Sequence, residues 1–338
     1  MGASRWVTNI ERLLESTPFL SSRSAPEHFR IESYGGHGGP AGVVVRGRVL
    51  DNPESSRAAE GEGVGAAVRR SVQNFLTREL PGVPLRIRIG DVTVDAVSDA
   101  DGYVVARIDS PAPDGAPWAA GTISLGADYR GVTEPHSTVV DVRVPDPGAR
   151  FGIISDIDDT VIKTGVQRAG QMVLQTFAGS ELTRVAFDGA ADLYRDLTAA
   201  VNPVFYVSSS PWNLHGFLTA FLDHHGFPRG PVLLRDLLGT SAGREAKHGR
   251  IHEILDLHPD LSFVLIGDSG EKDPEIYADI VRSYPGRILA VYIREVRLDP
   301  GDGTVERITQ DWAADVPFVL AADSQAVRRH AESVGLLL

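Results

Sequence analysis

FGIISDIDDT, residues 151–160, is a short apolar run, Phe151, Ile153 and Ile154, that stops abruptly at Asp156, Asp158, Asp159 and Thr160. An apolar run bounded by polar residues reads as a buried strand of an α/β sheet, and such sheets place their ligands just past the carboxyl ends of the strands. Asp156 and Asp158 fall there. The chain turns at a strand end, so both carboxylates can approach one point, where they need a cation, a proton or relief from mutual repulsion. Standing alone, the stretch would read as an Asp-rich turn. Three further clusters downstream change that reading.

At 338 residues the chain suits two domains, each able to bury a core. Its 42% hydrophobic and 23% charged content is that of a globular protein, and its formal net charge of -12 disfavours nonspecific binding to nucleic acid or acidic lipid. A local basic patch stays possible. The absence of cysteine removes disulfides, thiolate metal sites and a cysteine nucleophile, so a metal must be held by oxygen or imidazole, which points towards magnesium. Residues 1–20 lack the uninterrupted apolar core of a secretion signal, and no run approaches a membrane span. The expected location is cytoplasmic, with any membrane contact made peripherally.

Trp6, Ile10, Leu13 and Leu14 recur at helical spacing and predict an amphipathic helix that packs on a neighbour. Residues 21–40, rich in Ser, Gly and Pro, read as a linker or mobile loop, with His37 solvated among glycines. From residue 41 the texture becomes Val or Ile alternating with Arg, Thr and Asp, as in Leu85, Ile87 and Ile89 against Arg86 and Arg88. That is the pattern of short antiparallel strands in a sandwich. Val68, Val72, Phe75 and Leu76 predict a helix over about residues 65–80 that interrupts the sheet, with Arg69, Arg70 and Arg78 on its solvated side. DADG, residues 99–102, matches a hairpin turn better than a calcium loop, whose remaining ligands are missing. The expected organisation is an N-terminal helix and linker over 1–40, a smaller β-rich sandwich-like domain over 41–148 closed by PDPG, and an α/β domain over 149–338. In this last part strands and helices alternate, which implies a parallel sheet covered on both faces.

The second cluster, VFYVSSSPW at 204–212, puts Ser208 at a strand end, with Ser210 placed to cap a helix starting at Pro211. A hydroxyl and free amides there would bind an oxyanion, though taken alone the cluster reads better as a plain serine cap. Trp212 reads better as a packing anchor than as a substrate platform. The third is Lys247 in GREAKHGRI, which could reach phosphate oxygens as a point charge, in competition with Arg244, His248 and Arg250. The fourth, FVLIGDSGEKD at 263–273, ends a strand in Gly267 and Asp268, with Asp273 beyond. Asp156, Asp268 and Asp273 offer the hard oxygen ligands magnesium prefers.

The ordered set, strand-DxDxT, strand-Ser, Lys and strand-GDxxxxD, resembles the haloacid dehalogenase-like superfamily of phosphotransferases over about residues 151–295. More narrowly, SDIDDTVIKT, YVSSSPWNL, LLRD at 233–236 and LIGDSGEKDPEIY resemble the actin-patch-associated phosphatidate phosphatases and their bacterial relatives. The resemblance implies a Rossmann-like parallel sheet following a β-rich domain. It also implies Asp156 as the nucleophile that forms an aspartyl-phosphate and Asp158 as general acid and then base. Thr160, Ser208 and Lys247 would bind phosphate or position Asp158. Mg2+ would be held by Asp156, the Asp158 carbonyl, Asp268 and Asp273.

No lid-sized domain fits between the first cluster and its helix, or between Ser208 and Lys247. An active site without a cover either tolerates water or uses its substrate as the cover, which favours a phosphorylated lipid at a membrane surface, a protein or a polynucleotide end. The insert at 163–188 carries Met172, Val173, Leu174 and Phe177 near Lys163 and Arg168, and either dips into a bilayer or packs on the sheet. The leading reading is a magnesium-dependent phosphatidate phosphatase-like hydrolase. The alternatives are a capless phosphatase of a protein or polynucleotide end, and a noncatalytic scaffold.

Overall fold

The computed structural model describes residues 25–52, 78–133, 135–162, 186–199, 201–235, 242–296, 304–310, 312 and 315–337. The expected N-terminal amphipathic helix, Arg69, Arg70 and residues 163–185 of the insert lie outside them.

The first part of the chain builds β1 (Arg30–Gly39), β2 (Gly42–Asp51), β3 (Arg78–Glu79), β4 (Pro84–Ile89), β5 (Val92–Val97), β6 (Tyr103–Ile108), β7 (Trp118–Leu125) and β8 (Ser137–Arg143). They form one curled sheet in the order β3-β2-β1-β8-β7-β4-β5, with β6 also paired to β2, and nearly every pairing is antiparallel. Alternation decides which side faces in: Leu85, Ile87 and Ile89 are buried and Arg86 and Arg88 are exposed. Asp99 makes the turn into β6, its carboxylate accepting the amides of Asp101 and Tyr103.

Two expectations fail here. The helix predicted to run to residue 80 does not include Arg78 and Glu79, which pair with β2, and its remainder lies outside the described residues. Residues 30–39, read as linker, are β1. Their glycines serve close packing rather than mobility. A Cβ on Gly39 would lie 2.3 Å from His258 Nδ1 and 2.4 Å from the Leu257 carbonyl oxygen. His37, expected to be solvated, is fully buried in the same contact.

The second part alternates strand and helix: β9 (Gly152–Ser155), α1 (Ala190–Thr198), β10 (Val204–Pro211), α2 (His215–His224), β11 (Val232–Arg235), α3 (Ala242–Leu257), β12 (Phe263–Asp268), α4 (Asp273–Ser283), β13 (Ile288–Arg294), α5 (Thr304–Gln310), β14 (Phe318–Ala321) and α6 (Ser324–Ser333), of which α5 was not expected from the sequence. Six strands pair in parallel in the order β11-β10-β9-β12-β13-β14. Successive residues feed opposite faces. Ile153 joins the core under α1 and α2, and Ile154 the core under α3 and α4. The order reverses between β9 and β12, so the crevice past their carboxyl ends is where a ligand enters such a sheet. The chain is thus a mixed α/β protein. Among the described residues no helix is long and apolar enough to cross a membrane.

The two sheets meet through polar groups as well as packing. Glu253 of α3 accepts from Arg46 at 2.6 and 2.8 Å and from His37 at 3.0 Å, with Arg107 at 3.4 Å. Asn213 accepts from Arg48 at 2.9 Å and from the Tyr103 hydroxyl at 3.0 Å. Trp212 stacks on Tyr34 of β1 with ring centroids 5.0 Å apart. It is the packing anchor the sequence suggested, set against the β-rich part.

Candidate active site

β9 ends at Ser155, and its continuation is held in line when the Asp156 amide donates to the Ile266 carbonyl of β12 at 2.9 Å. Asp156 is completely buried. The chain then turns through Asp159, whose φ of 52° is left-handed, a conformation aspartate tolerates better than most residues. Asp158 is thereby brought to Ser208 and Ser210 of β10, whose hydroxyls donate to its Oδ2 at 2.8 and 3.1 Å. The Ser210 amide donates to Ser208 Oγ at 2.9 Å, which leaves the Ser208 proton directed at Asp158. Thr160 is buried nearby, and its Oγ1 has no partner among the described residues.

Ser210 was expected to cap a helix beginning at Pro211. Instead β10 extends through Pro211, a single 3-10 turn follows at Trp212–Leu214, and α2 starts at His215. The hydroxyl is spent on Asp158.

Lys247 enters from α3, which begins five residues before it rather than at it. Its Nζ donates to Asp156 Oδ1 at 2.7 Å and to Asp273 Oδ1, and lies 3.7 Å from Glu271. Arg244 side-chain placement lies outside what is described, and His248 turns away to Asp279. Burial pulls the Lys247 ammonium down, but Asp156 and Asp273 outweigh it and hold it well above the usual lysine range.

Asp268 closes β12. Its Oδ1 accepts the Gly270 amide at 2.6 Å and the Glu271 amide at 3.0 Å. Gly267 lets α4 come this close, since a Cβ there would sit 2.3 Å from Asp273 Oδ2. That oxygen receives the Asp268 amide at 3.3 Å. Asp273 therefore has both carboxylate oxygens engaged.

The acids outnumber the one lysine. Burial, then the neighbouring carboxylates against Lys247, pushes Asp156 well above the carboxylate range. Burial followed by Asp273 raises Asp268 to about 8, and burial raises Glu271 to about 7. Such a surplus of buried negative charge calls for a second cation. Asp156, Glu271 and Asp273 stand close enough to share one, but Lys247 already occupies the space between them. The atoms left over are Asp156 Oδ2 and Asp268 Oδ2, both buried and without a partner among the described residues. Hard, ionisable oxygens of this kind fit a divalent metal.

The structure brings together Asp156, Lys247, Asp268 and Asp273 on one side and Asp158, Ser208 and Ser210 on the other. Sequence reading missed Glu271 and the task of Ser210. Glu271 lies inside the quoted GDSGEKD motif, and its distance from Lys247 depends on the turn that Asp268 organises.

Fold and site together define an α/β protein with an acid-rich crevice at the carboxyl ends of a parallel sheet. More particularly, residues 151–295 match the family model described as "Phosphatidate phosphatase APP1, catalytic domain", so the resemblance read from the four clusters holds over that stretch. The chain is 28% identical over 240 residues to Phosphatidate phosphatase APP1 of Saccharomyces cerevisiae, covering 66% of this chain and 40% of that protein. It is 35% identical over 156 residues to an uncharacterized protein of Schizosaccharomyces pombe, covering 44% of this chain and 26% of that one. The chain thus spans well under two thirds of either relative. Among solved structures, a carbohydrate acetylesterase from Xanthomonas citri aligns at 11% identity with a TM-score of 0.30 over 87% of this chain and 68% of that one, a likeness that carries no argument.

Proposed function

We propose that the chain is a magnesium-dependent phosphomonoester hydrolase of the phosphatidate phosphatase kind, with a Rossmann-like, haloacid dehalogenase-like catalytic domain over 149–338 behind a sandwich-like domain read from sequence as 41–148 and extended to about residue 30 by β1. The observation that carries the reading is the division of the acids. Asp156 is held by Lys247, whereas Asp158 is aimed by two serine hydroxyls. Two carboxylates in different surroundings can take different chemical roles.

Asp156 Oδ1 attacks phosphorus, forming an aspartyl-phosphate as the ester P–O bond breaks. Asp158 gives the departing alkoxide its proton. Ser208 and Ser210 both donate to Oδ2, so Oδ1 is the oxygen that carries that proton. Asp158 then takes a proton from water, which attacks the acyl phosphate and returns Asp156 as a carboxylate with release of inorganic phosphate. Lys247 offsets charge on the phosphoryl oxygens, and Thr160 Oγ1 is available to donate to one. Asp156 Oδ2 and Asp268 Oδ2 would hold Mg2+, with Asp273 one layer behind them, and the ion would supply charge neutralisation at the phosphoryl group.

The expected substrate is a phosphorylated lipid presented at a membrane surface to a peripheral, cytoplasmic enzyme. This part of the reading rests on the family match and on the absence of a lid-sized insertion. The test is phosphate release from phosphatidate in mixed micelles and from a soluble aryl phosphate, with Mg2+ and with chelator, for the parent and Asp156→Asn. Release from lipid that requires Mg2+ and disappears in the variant is the expected result. Release from the soluble ester alone would remove the lipid assignment, and release from neither would put a noncatalytic scaffold or a phosphatase of a protein or polynucleotide end ahead.

A further inference from the structure

α3 and α4 carry a second cluster that takes no part in the phosphoryl-transfer site. His248 and His252 are one helical turn apart on α3, so their rings leave the same face. Their Nε2 atoms are 3.2 Å apart. On α4, Asp279 Oδ2 lies 2.8 Å from His248 Nε2, and its Oδ1 is 3.4 Å from Arg282. Just past α4, the Tyr284 hydroxyl is 2.7 Å from His252 Nδ1 and 2.7 Å from Asp256 Oδ1.

Proton accounting fixes the tautomers. A carboxylate only accepts, so Tyr284 gives its single proton to Asp256 and must accept from His252 Nδ1. His252 therefore carries its proton on Nδ1 and presents the Nε2 lone pair to His248. His248 Nε2 faces two acceptors, the Asp279 carboxylate and that lone pair, and carries the proton between them. Carboxylate, tyrosine and imidazole in series are the outer arrangement that orients a metal-binding histidine. The spacing agrees. With metal–nitrogen bonds of about 2.05 Å, nitrogens 3.2 Å apart subtend about 100° at a shared ion, close to tetrahedral. A dication would displace only the proton on His248 Nε2.

We propose that His248 and His252 chelate a transition-metal dication of the zinc class through their Nε2 atoms. Asp279 is the third ligand, reached by rotation of its half-exposed side chain, and water completes the shell. Imidazole donors select zinc-class metals over magnesium, so the site is chemically separate from the Asp156–Asp268 pair. The ion would clip α3 to α4 beside the Lys247–Asp273 contact.

The test uses the full chain, stripped with chelator and held in excess Mg2+, and titrated calorimetrically with Zn2+. A parallel Cu2+ sample is read by electron paramagnetic resonance for nitrogen coupling. One equivalent of Zn2+ should bind with Kd in the micromolar range or tighter. His252→Gln should weaken binding at least tenfold, and Tyr284→Phe, which frees the Nδ1 proton from its acceptor, by about tenfold. Asp268→Asn should bind Zn2+ as the parent does. The metal-free thermal midpoint of each variant reports whether it is folded. No Zn2+ binding by the parent, or binding unchanged in folded His252→Gln, would overturn the site. So would a Cu2+ spectrum without nitrogen coupling, or binding lost in Asp268→Asn.

Discussion

At the scale of single residues, the site is a set of assigned hydrogen bonds, and each assignment has a kinetic consequence. Asp158→Asn cannot exchange the proton and should lower kcat by about 10²–10⁴-fold. Ser208→Ala leaves the carboxyl in place but loosens its aim, and should cost about tenfold in kcat with KM nearly unchanged; steady-state kinetics on one preparation separates the two. Asp268 gives a pH effect whose sign can be worked out. Burial and Asp273 raise it to about 8 in the metal-free protein, so below that value a cation must displace a proton. Metal Kd should fall at least tenfold per unit from pH 6.5 to 7.5, because Asp156 is raised as well, and calorimetry at three pH values checks this. Asp156, Asp158, Ser208 and Asp268 were legible in sequence because each follows a hydrophobic run, and Lys247 because it is the lysine between two of the strands, although it sits inside α3 and not at its start. Glu271 and Ser210 were not, because their contacts depend on how two turns fold, which no periodicity records.

At the scale of elements, β12 and α4 work as one unit. Gly267→Ala would push a methyl against Asp273 and against Tyr277, whose Cε2 would lie 2.7 Å away. Overpacking of this kind costs about 1–3 kcal/mol, and here it also displaces the carboxylate that faces Lys247. The variant should lose stability in urea and activity together. Tyr277→Phe removes a single 2.9 Å hydrogen bond to the Ile266 carbonyl and should cost only about 1 kcal/mol. The strands of the second sheet and most of its helices were legible, since strand runs and amphipathic helices differ in period, but α2 starts later and α3 earlier than expected, and the short α5 was not read. The failures came where a residue type has two uses. Glycine signals loops, yet in β1 it is the residue that fits against His258. Serine before proline signals a cap, yet Ser210 continues a strand.

At the scale of the whole molecule, the two sheets are joined by buried charge. His37 and Arg46 overcome the burial of Glu253 and hold it well below the usual carboxylate range. Glu253→Gln would leave Arg46 buried without a charge partner, at a cost of about 3–5 kcal/mol. Across the same contact, burial lowers His37 and brings His258 to about 3. Both histidines are more acidic folded than unfolded, so their stability contribution is complete above about pH 6.5 and is lost as pH falls below it, for His258 down to about 3. The slope is about 1.4 kcal/mol per pH unit for His258 in that window, and His37 adds to it in the same direction. Urea midpoints at pH 7.5, 6 and 5 should fall accordingly, and His258→Gln should flatten the decline. None of this was visible in the chain, because Glu253 and His37 are 216 residues apart and each looks like an ordinary surface residue beside its own neighbours. α3 therefore carries Lys247 to the chemistry and Glu253 to the other sheet on one rigid rod. A recombination event breaking the gene at residues 145–148 would look clean in sequence, yet a fragment inherited from there onward would hold Glu253, Asn213 and Trp212 with their counterparts left behind. The two halves are therefore expected to travel through evolution as a pair, with changes at Arg46 and Glu253 arising together.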